Sequence, residues 1–438
     1  MVNLLKKLAQ ARAVALVGER LIRLGAAAVI TVIVAQMLGP AATGYYAIVM
    51  TWSAFLAPLA NLGMNNLVQK QVQSAPTPAD GSSILFTAVW LRLAAGVLFG
   101  TLMWLGFAWY LPAEFDAYLP SAAALFVGQI FIAFILFEYH ENYQGHFRTL
   151  AYGRLGIAML CLLAKLWVLY AGYGIDALFW VMGVEFAATG FYQYLLFCRH
   201  NPHFGRFRQV KARLTWAKEL VRRSSWLWMS GILSVVYLRI DVVMIERLLG
   251  IEQTGVYSAV SRLSELWYLI PATLAVRYYP DLLKQHQHSW SCYLLLLRKY
   301  CGYFLAMALV IAILMFVLAP PLVPLVFGDA FAAGVPVLQI HIWAGMFIFV
   351  RYLISQHLVI TGQEPLSLAS HGVGAVLNVL LNFWLIPLYG LQGAAWATLI
   401  SYAYASFFFL FFSRRCRSHF WQLCKARLGQ PDIKSEPV

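Results

Sequence analysis

In the stretch VVYLRIDVVMIERLLG (residues 235–250), Arg239 and Asp241 stand two positions apart in an otherwise apolar run. Similar charges interrupt other apolar runs: Glu19, Arg20 and Arg23, then Arg92, Glu185, Arg262 with Glu265, and Arg351. Guanidinium groups present forked donors that suit phosphate. A carboxylate in an apolar setting can exchange a proton or balance a neighbouring cation. Helical spacing decides which of them can meet. Glu19 and Arg23 are four apart and share a face, and Arg262 and Glu265, three apart, are also neighbours. Arg20 falls within the same third of the helix as Glu19. Arg239 and Asp241 lie about 200° apart around a helix, so each needs a partner on another helix or water. The candidate anion-binding residues are therefore Arg20, Arg23, Arg92, Arg239, Arg262 and Arg351. The candidate coupling or charge-balancing residues are Glu19, Glu185, Asp241 and Glu265. Arginines outnumber carboxylates in this set, so a water-filled cleft lined by them would attract an anion. The competing reading for any one of them is a buried structural pair or a long side chain reaching the interface. That reading is preferred for Lys165, Glu246 and Arg247, near helix ends. His341, His357 and His371 read as satisfied core residues ahead of proton relays.

The elements that must position these charges follow from composition. Of 438 residues, 61% are hydrophobic and 11% charged, and the mean hydropathy is +0.70. Soluble domains average about 25% charged residues, and no water-soluble fold can hide this much apolar surface. The chain is an all-α polytopic membrane protein. A spanning helix needs about 20 mostly apolar residues. Twelve such stretches are predicted, at 13–37, 44–66, 83–110, 118–139, 150–171, 175–198, 224–249, 255–280, 292–318, 334–360, 365–388 and 391–413. Breaks such as LGPAATG (38–44), AGYG (171–174) and TGQEP (361–365) carry the glycines and prolines that end helices.

The net charge of +14 reads as a positive-inside bias, not as a nucleic-acid surface, because no basic stretch lies on a soluble domain. Alternating connections hold Lys and Arg on one side and Glu114, Asp116, Glu252 and Asp329 on the other, with Arg247 as the main basic exception. Both termini are expected in the cytoplasm. Glu19, Arg20 and Arg23 interrupt what would have to be a signal-peptide core, so the N-terminus is expected to remain as the first span. The expected organisation is a six-helix bundle over 1–200, a basic cytoplasmic interfacial linker over 201–223, a second six-helix bundle over 224–413, and a basic cytoplasmic tail over 414–438. Six cysteines suggest neither a disulfide framework nor metal-ligand spacing. There is no GxxxxGK[ST] loop and no HExxH. No catalytic residue, metal ligand or bound cofactor is expected, and the chain reads as a non-enzyme.

The halves resemble each other. LGPAATGYY (38–46) matches LGIEQTGVY (249–257), and YGIDALFW (173–180) matches YGLQGAAW (389–396), at nearly equal separations. Six spans per half return the chain to its starting side, so the repeats are parallel, as in transporters whose two bundles rock about a site.

The stretches ERLIRLGAAAVITVIVAQMLGPAATGYYAI and YLRIDVVMIERLLGIEQTGVYSAVSRLSELWYLIPATL resemble the Wzx-type polysaccharide flippases. These belong to the multidrug/oligosaccharidyl-lipid/polysaccharide exporter superfamily. The resemblance covers essentially the whole chain in span count and loop charge, with its local motifs in spans 1, 2, 7 and 8. It implies two six-helix bundles forming a V around a cationic central cavity. It also implies movement of undecaprenyl-pyrophosphate-linked oligosaccharide units from the cytoplasmic to the periplasmic leaflet of the bacterial inner membrane, by alternating access. The cargo would serve O-antigen or related surface polysaccharide synthesis, alongside a polymerase and a chain-length regulator. Coupling to a proton or sodium gradient, or to the membrane potential, would drive it. On that resemblance Arg239 faces the pyrophosphate, and Asp241 balances charge or carries a coupling proton. An ion-coupled multidrug exporter of the same superfamily is the alternative, and it would want an acidic cavity. An intramembrane glycan polymerase or ligase would want a large outer loop, which is not seen.

Overall fold

The computed structural model describes residues 2–111, 113–201, 213–409 and 417–418, and among these it is helical without a strand. The helices are α1 (Val2–Asn61), α2 (Asn65–Gln73), α3 (Pro78–Tyr110), α4 (Leu119–Ile130), α5 (Ile135–Gln144), α6 (Phe147–Tyr170) and α7 (Gly174–His200). Then follow α8 (Leu214–Leu249), α9 (Ile251–Glu265), α10 (Leu269–His288), α11 (Trp290–Phe327), α12 (Val335–Ile360) and α13 (Glu364–Ser406). Short 3-10 segments at Phe131–Phe134 and Leu266–Tyr268 join α4 to α5 and α9 to α10.

Among the described residues, twelve spans result. Among the described residues, nine helical stretches are long and apolar enough to cross a bilayer. Two of these, Ile22–Asn61 and Pro365–Ser406, each contain a glycine with non-helical backbone, Gly39 and Gly390, and so hold two spans apiece. The remaining span is α9 with α10, too charged and interrupted to register by hydropathy. Pro271 lacks an N–H, and its ring crowds the carbonyl one turn earlier. The helix therefore tightens into a 3-10 turn at Leu266–Tyr268, directly after Glu265. Such a mid-span 3-10 stretch commonly marks a hinge or a functional position.

The chain packs as two compact units. One comprises Met1–Leu38 and Tyr46–Val235, the other Gly39–Tyr45 and Val236–Val438. The division falls inside α8, not at the expected position between residues 223 and 224. The reason is packing: Leu220 and Trp228 on the first half of α8 sit with Phe86, Phe137 and Phe197 in the core of the first unit. Residues 202–212 lie outside the described residues, whereas Leu214 onward is helix α8, continuous with span 7, since no proline interrupts that run. Of the expected tail, Arg417 and Ser418 are described.

Each unit has its own aromatic core. In the first, the Phe137 and Phe197 rings lie 4.6 Å apart, with Phe86 edge-on to both. In the second, Tyr293, Phe304 and Phe349 are fully buried together. Large apolar side chains also face outward, as Val97, Leu98, Leu102, Leu105 and Trp109 do along one side of α3. This is the pattern expected where the solvent is lipid.

The sequence repeat is a repeat of backbone. Gly39 (φ 75, ψ −173) and Gly250 (φ 90, ψ 175) break the chain identically between spans 1 and 2 and between spans 7 and 8. That conformation is essentially restricted to glycine. In both copies the threonine four residues on donates to the glycine carbonyl, Thr43 at 2.8 Å and Thr254 at 2.9 Å. Gly174 and Gly390, in the other matched pair, also have positive φ. The first pair of motifs packs reciprocally within the second unit. A Cβ on Gly44 would stand 1.9 Å from the Ile251 carbonyl oxygen, and one on Gly255 would stand 1.9 Å from the Pro40 carbonyl oxygen. Backbone cannot yield to such contact, so Gly44→Ala and Gly255→Ala are each expected to remove most folded protein from the membrane. Gly156→Ala, with nothing within 4 Å, is the control and is expected to leave membrane abundance and size-exclusion behaviour unchanged.

Candidate functional site

Each unit carries its own set of charges at membrane depth. In the first unit, Arg154 on α6 is the organising residue. One arm donates to Glu19 on α1 at 2.5 Å, and the other pairs with Glu138 on α5. Gln193 on α7 donates to the same Glu138 at 2.9 Å. Arg23, one turn from Glu19, approaches it at 3.7 Å and stays largely exposed, as its position on the outer side of the cluster dictates. The pairing of Glu19 with Arg23 expected from spacing is present, but Arg154 is Glu19's closer partner. The side chain of Arg20 lies outside the described residues. Arg92 on α3 is fully buried and donates to Asn65 at 2.5 Å, fixing the start of α2. Glu185 pairs with Lys165 across α6 and α7. That corrects the reading of Lys165 as a side chain reaching for the interface: both residues are mostly buried, so the pair stays together.

In the second unit, Arg239 on α8 meets Glu265 at the end of α9, with its two terminal nitrogens 3.4 and 3.1 Å from the carboxylate oxygens. The fork-on-carboxylate geometry is the strong form of this contact. Neither partner is sealed in; their side chains are 25% and 23% exposed. Asp241 points elsewhere, as helical spacing requires. It is buried and accepts from the Tyr257 hydroxyl at 2.6 Å and from the Val242 N–H at 2.9 Å. Arg262 is half-buried one turn before Glu265. His341 contacts the Ser264 hydroxyl at 3.0 Å, and His357 the Tyr293 hydroxyl at 2.7 Å, which makes both satisfied core residues. Arg351 on α12 is buried and binds α13 through the Ser370 hydroxyl (2.7 Å), the Ser367 hydroxyl (3.0 Å) and the Ala405 carbonyl (3.0 Å). Glu246, near the end of α8, is buried.

These placements revise the arithmetic of charge. Arg154 and Glu138 were missed because each lies near an end of its predicted span, where a charge reads as interfacial. With them included, the first cluster holds two arginines and two carboxylates. Arg92 and Arg351 spend donors on neutral acceptors inside their own bundles. Arg23, Arg239 and Arg262 remain as the candidate arginines with described side chains that keep some exposure. A charged group at membrane depth normally faces the bundle interior or water, not lipid, because the cost at the bilayer centre is several kcal/mol. Arg23 and the Arg239–Glu265 pair thus keep some exposed charged surface, one in each unit.

A chain with twelve spans, a repeated six-helix half and charged pairs held at membrane depth is a multi-pass membrane protein built like a transporter. It belongs to the polysaccharide biosynthesis protein family, whose model matches residues 12–280. It is 24% identical over 417 residues to the probable flippase AglR of Haloferax volcanii, covering 90% of this chain and 81% of that protein. Its fold is that of the lipid II flippase MurJ in an inward closed conformation, with a TM-score of 0.67 at 14% identity and coverage of 95% of this chain and 90% of that one. It is also that of a multidrug resistance MATE family transporter of the MOP superfamily in an outward-facing conformation. There the TM-score is 0.65 at 14% identity, covering 95% of this chain and 97% of that one.

Proposed function

We propose that this protein is a flippase carrying undecaprenyl-pyrophosphate-linked oligosaccharide units from the cytoplasmic to the periplasmic leaflet of the bacterial inner membrane. It would work by alternating access, with both termini in the cytoplasm, and would supply O-antigen or related surface polysaccharide synthesis. A polymerase and a chain-length regulator would act on the delivered units. The observation that carries the reading is the partly exposed Arg239–Glu265 pair, in a chain whose family is defined by polysaccharide biosynthesis. The carboxylate keeps the guanidinium oriented and partly neutralised, and an incoming pyrophosphate competes with it for the same fork of donors. Arg23, lightly held by Glu19, offers a second guanidinium on the same principle. The relative named a probable flippase supports flippase activity, and the fold is one that a lipid II flippase also has. The lipid tail needs no pocket, because it can remain in the bilayer while the headgroup crosses.

Likeness to multidrug transporters keeps an ion-coupled drug exporter as the second reading. The test is reconstitution in proteoliposomes with labelled undecaprenyl-pyrophosphate glycan, with and without a proton or sodium gradient. Protein-dependent change of leaflet is expected, together with no uptake of cationic dyes. Dye transport without glycan transport would select the exporter.

A further inference from the structure

A second polar cluster lies apart from these pairs, where α5 turns into α6 beside the last turn of α7. Gly145, with φ 92, ends α5 in a left-handed cap, and the His146 N–H closes back on the Glu141 carbonyl at 3.0 Å. This tight turn places the side chain of His146 beside that of Glu141, five residues earlier. Packing of Phe137 on Phe197 then brings the end of α7 to the same point. As a result the Nδ1 atoms of His146 and His200 lie 3.0 and 2.6 Å from one and the same oxygen, Oε2 of Glu141. The two imidazole rings are 4.1 Å apart, and the three ligand atoms all lie within 4.8 Å of one another.

The carboxylate is wholly buried, at 0% exposure, and its salt-bridge partners among the described residues are these two histidines. Its other oxygen, Oε1, accepts from the Asn201 amide at 2.5 Å. Asn201 is held in turn by Gln144 at 2.7 Å. A buried carboxylate, two imidazole nitrogens converging on it and a hydrogen-bonded outer layer that orients the carboxylate are the ingredients of a three-ligand divalent-metal site. Zinc–nitrogen and zinc–oxygen distances near 2.0–2.2 Å put tetrahedral ligand atoms about 3.3 Å apart. To admit the ion the His146–Glu141 separation must widen by about 0.3 Å and the His200–Glu141 separation by about 0.7 Å. The ion would replace the two ring protons now aimed at Oε2, which would move to the outer Nε2 atoms. His146 is 40% exposed and His200 24%, so those atoms can be hydrated and a fourth position can be taken by water.

We propose that Glu141, His146 and His200 form a zinc-class metal site that clamps the α5–α6 turn to the C-terminal end of α7. Sequence reading finds no metal ligands because the three residues share no compact motif, and only the fold brings His200 to the other two.

The test uses the full-length, untagged protein in detergent, stripped of metal, with Zn2+ titrated against a chromophoric chelator. One Zn2+ per chain is expected, with micromolar or tighter affinity. Co2+ should give the visible absorption of a four-coordinate nitrogen–oxygen site. His146→Ala and His200→Ala are each expected to weaken Zn2+ binding at least a hundredfold, and Asn201→Ala about tenfold through the outer layer. His146 is half-exposed, so its variant should elute unchanged on size exclusion, which separates lost ligation from lost fold. Absence of Zn2+ binding at micromolar concentrations would overturn the proposal. So would unchanged affinity and unchanged Co2+ absorption in the His146→Ala/His200→Ala double variant, which would assign the metal to other histidines. A cluster that merely shares a proton would bind no Zn2+ and fall under the first of these.

Discussion

Arg239→Ala is expected to abolish glycan translocation and also to reduce the amount of protein in the membrane, and the two effects are separable. The stability loss has a plain cause: Glu265 would keep its half-buried position without the guanidinium that now grips both its oxygens. Removing one member of a desolvated pair is far costlier than removing both. The double variant Arg239→Ala/Glu265→Gln is therefore expected to regain membrane abundance. Translocation should stay lost in it, because the forked donor for pyrophosphate is still missing. Loss of a charged, hydrogen-bonded contact costs about 3 kcal/mol, roughly a hundredfold in rate or affinity. Arg239→Lys keeps the charge but loses the bidentate geometry, and should retain a measurable fraction of transport. If the double variant translocates glycan at the wild-type rate in proteoliposomes, Arg239 is only a structural partner of Glu265, and the anion-site reading fails.

The pattern of what was legible follows from the range of each physical signal. Hydropathy acts over a window the length of one span, so most of the segments could be read directly; the α9–α10 span, too charged to register by hydropathy, was legible from its place between two breaks and from the repeat. The glycine breaks were legible too. The LGPAATG and LGIEQTG motifs share residues because both must adopt a backbone closed to other residue types, and their reciprocal packing at Gly44 and Gly255 repeats that constraint in three dimensions. Charge pairing was legible only along one helix. Spacing correctly separated Arg239 from Asp241 and joined Glu19 to Arg23. It had no means of seeing Arg154 reach Glu19, or Lys165 reach Glu185, since those contacts depend on which helices pack side by side. Counting charges also overlooks neutral acceptors. Arg92 on Asn65 and Arg351 on two serines and a carbonyl look like surplus cations in the sequence and are bundle cross-links in the fold.

The largest effect on stability is expected at Arg154, a residue the sequence did not single out. Its guanidinium holds two carboxylates on two other helices, Glu19 on α1 and Glu138 on α5, with both acids largely withdrawn from water. In Arg154→Met the apolar volume is nearly kept, but the two carboxylates face each other with, among the described residues, Arg23 and Gln193 for support. Breaking a buried pair costs about 3–5 kcal/mol, and here one change breaks two. The variant should unfold at a clearly lower temperature in detergent and accumulate poorly in membranes. Arg154→Lys should be intermediate, since an ammonium lacks the fork that serves both acids. The triple variant Glu19→Gln/Glu138→Gln/Arg154→Met removes every charge at once, and replacing a whole buried ionic set by neutral groups of similar size is often harmless to stability. Its melting temperature should return towards wild type, and an unchanged melting temperature in Arg154→Met alone would show that the triad carries no stability. Translocation by the triple variant then decides what the cluster is for. Recovery would make the triad a rivet between helices. A stable protein that no longer flips would mean that Glu19, by holding Arg23 at the polar surface of α1, belongs to the transport path itself.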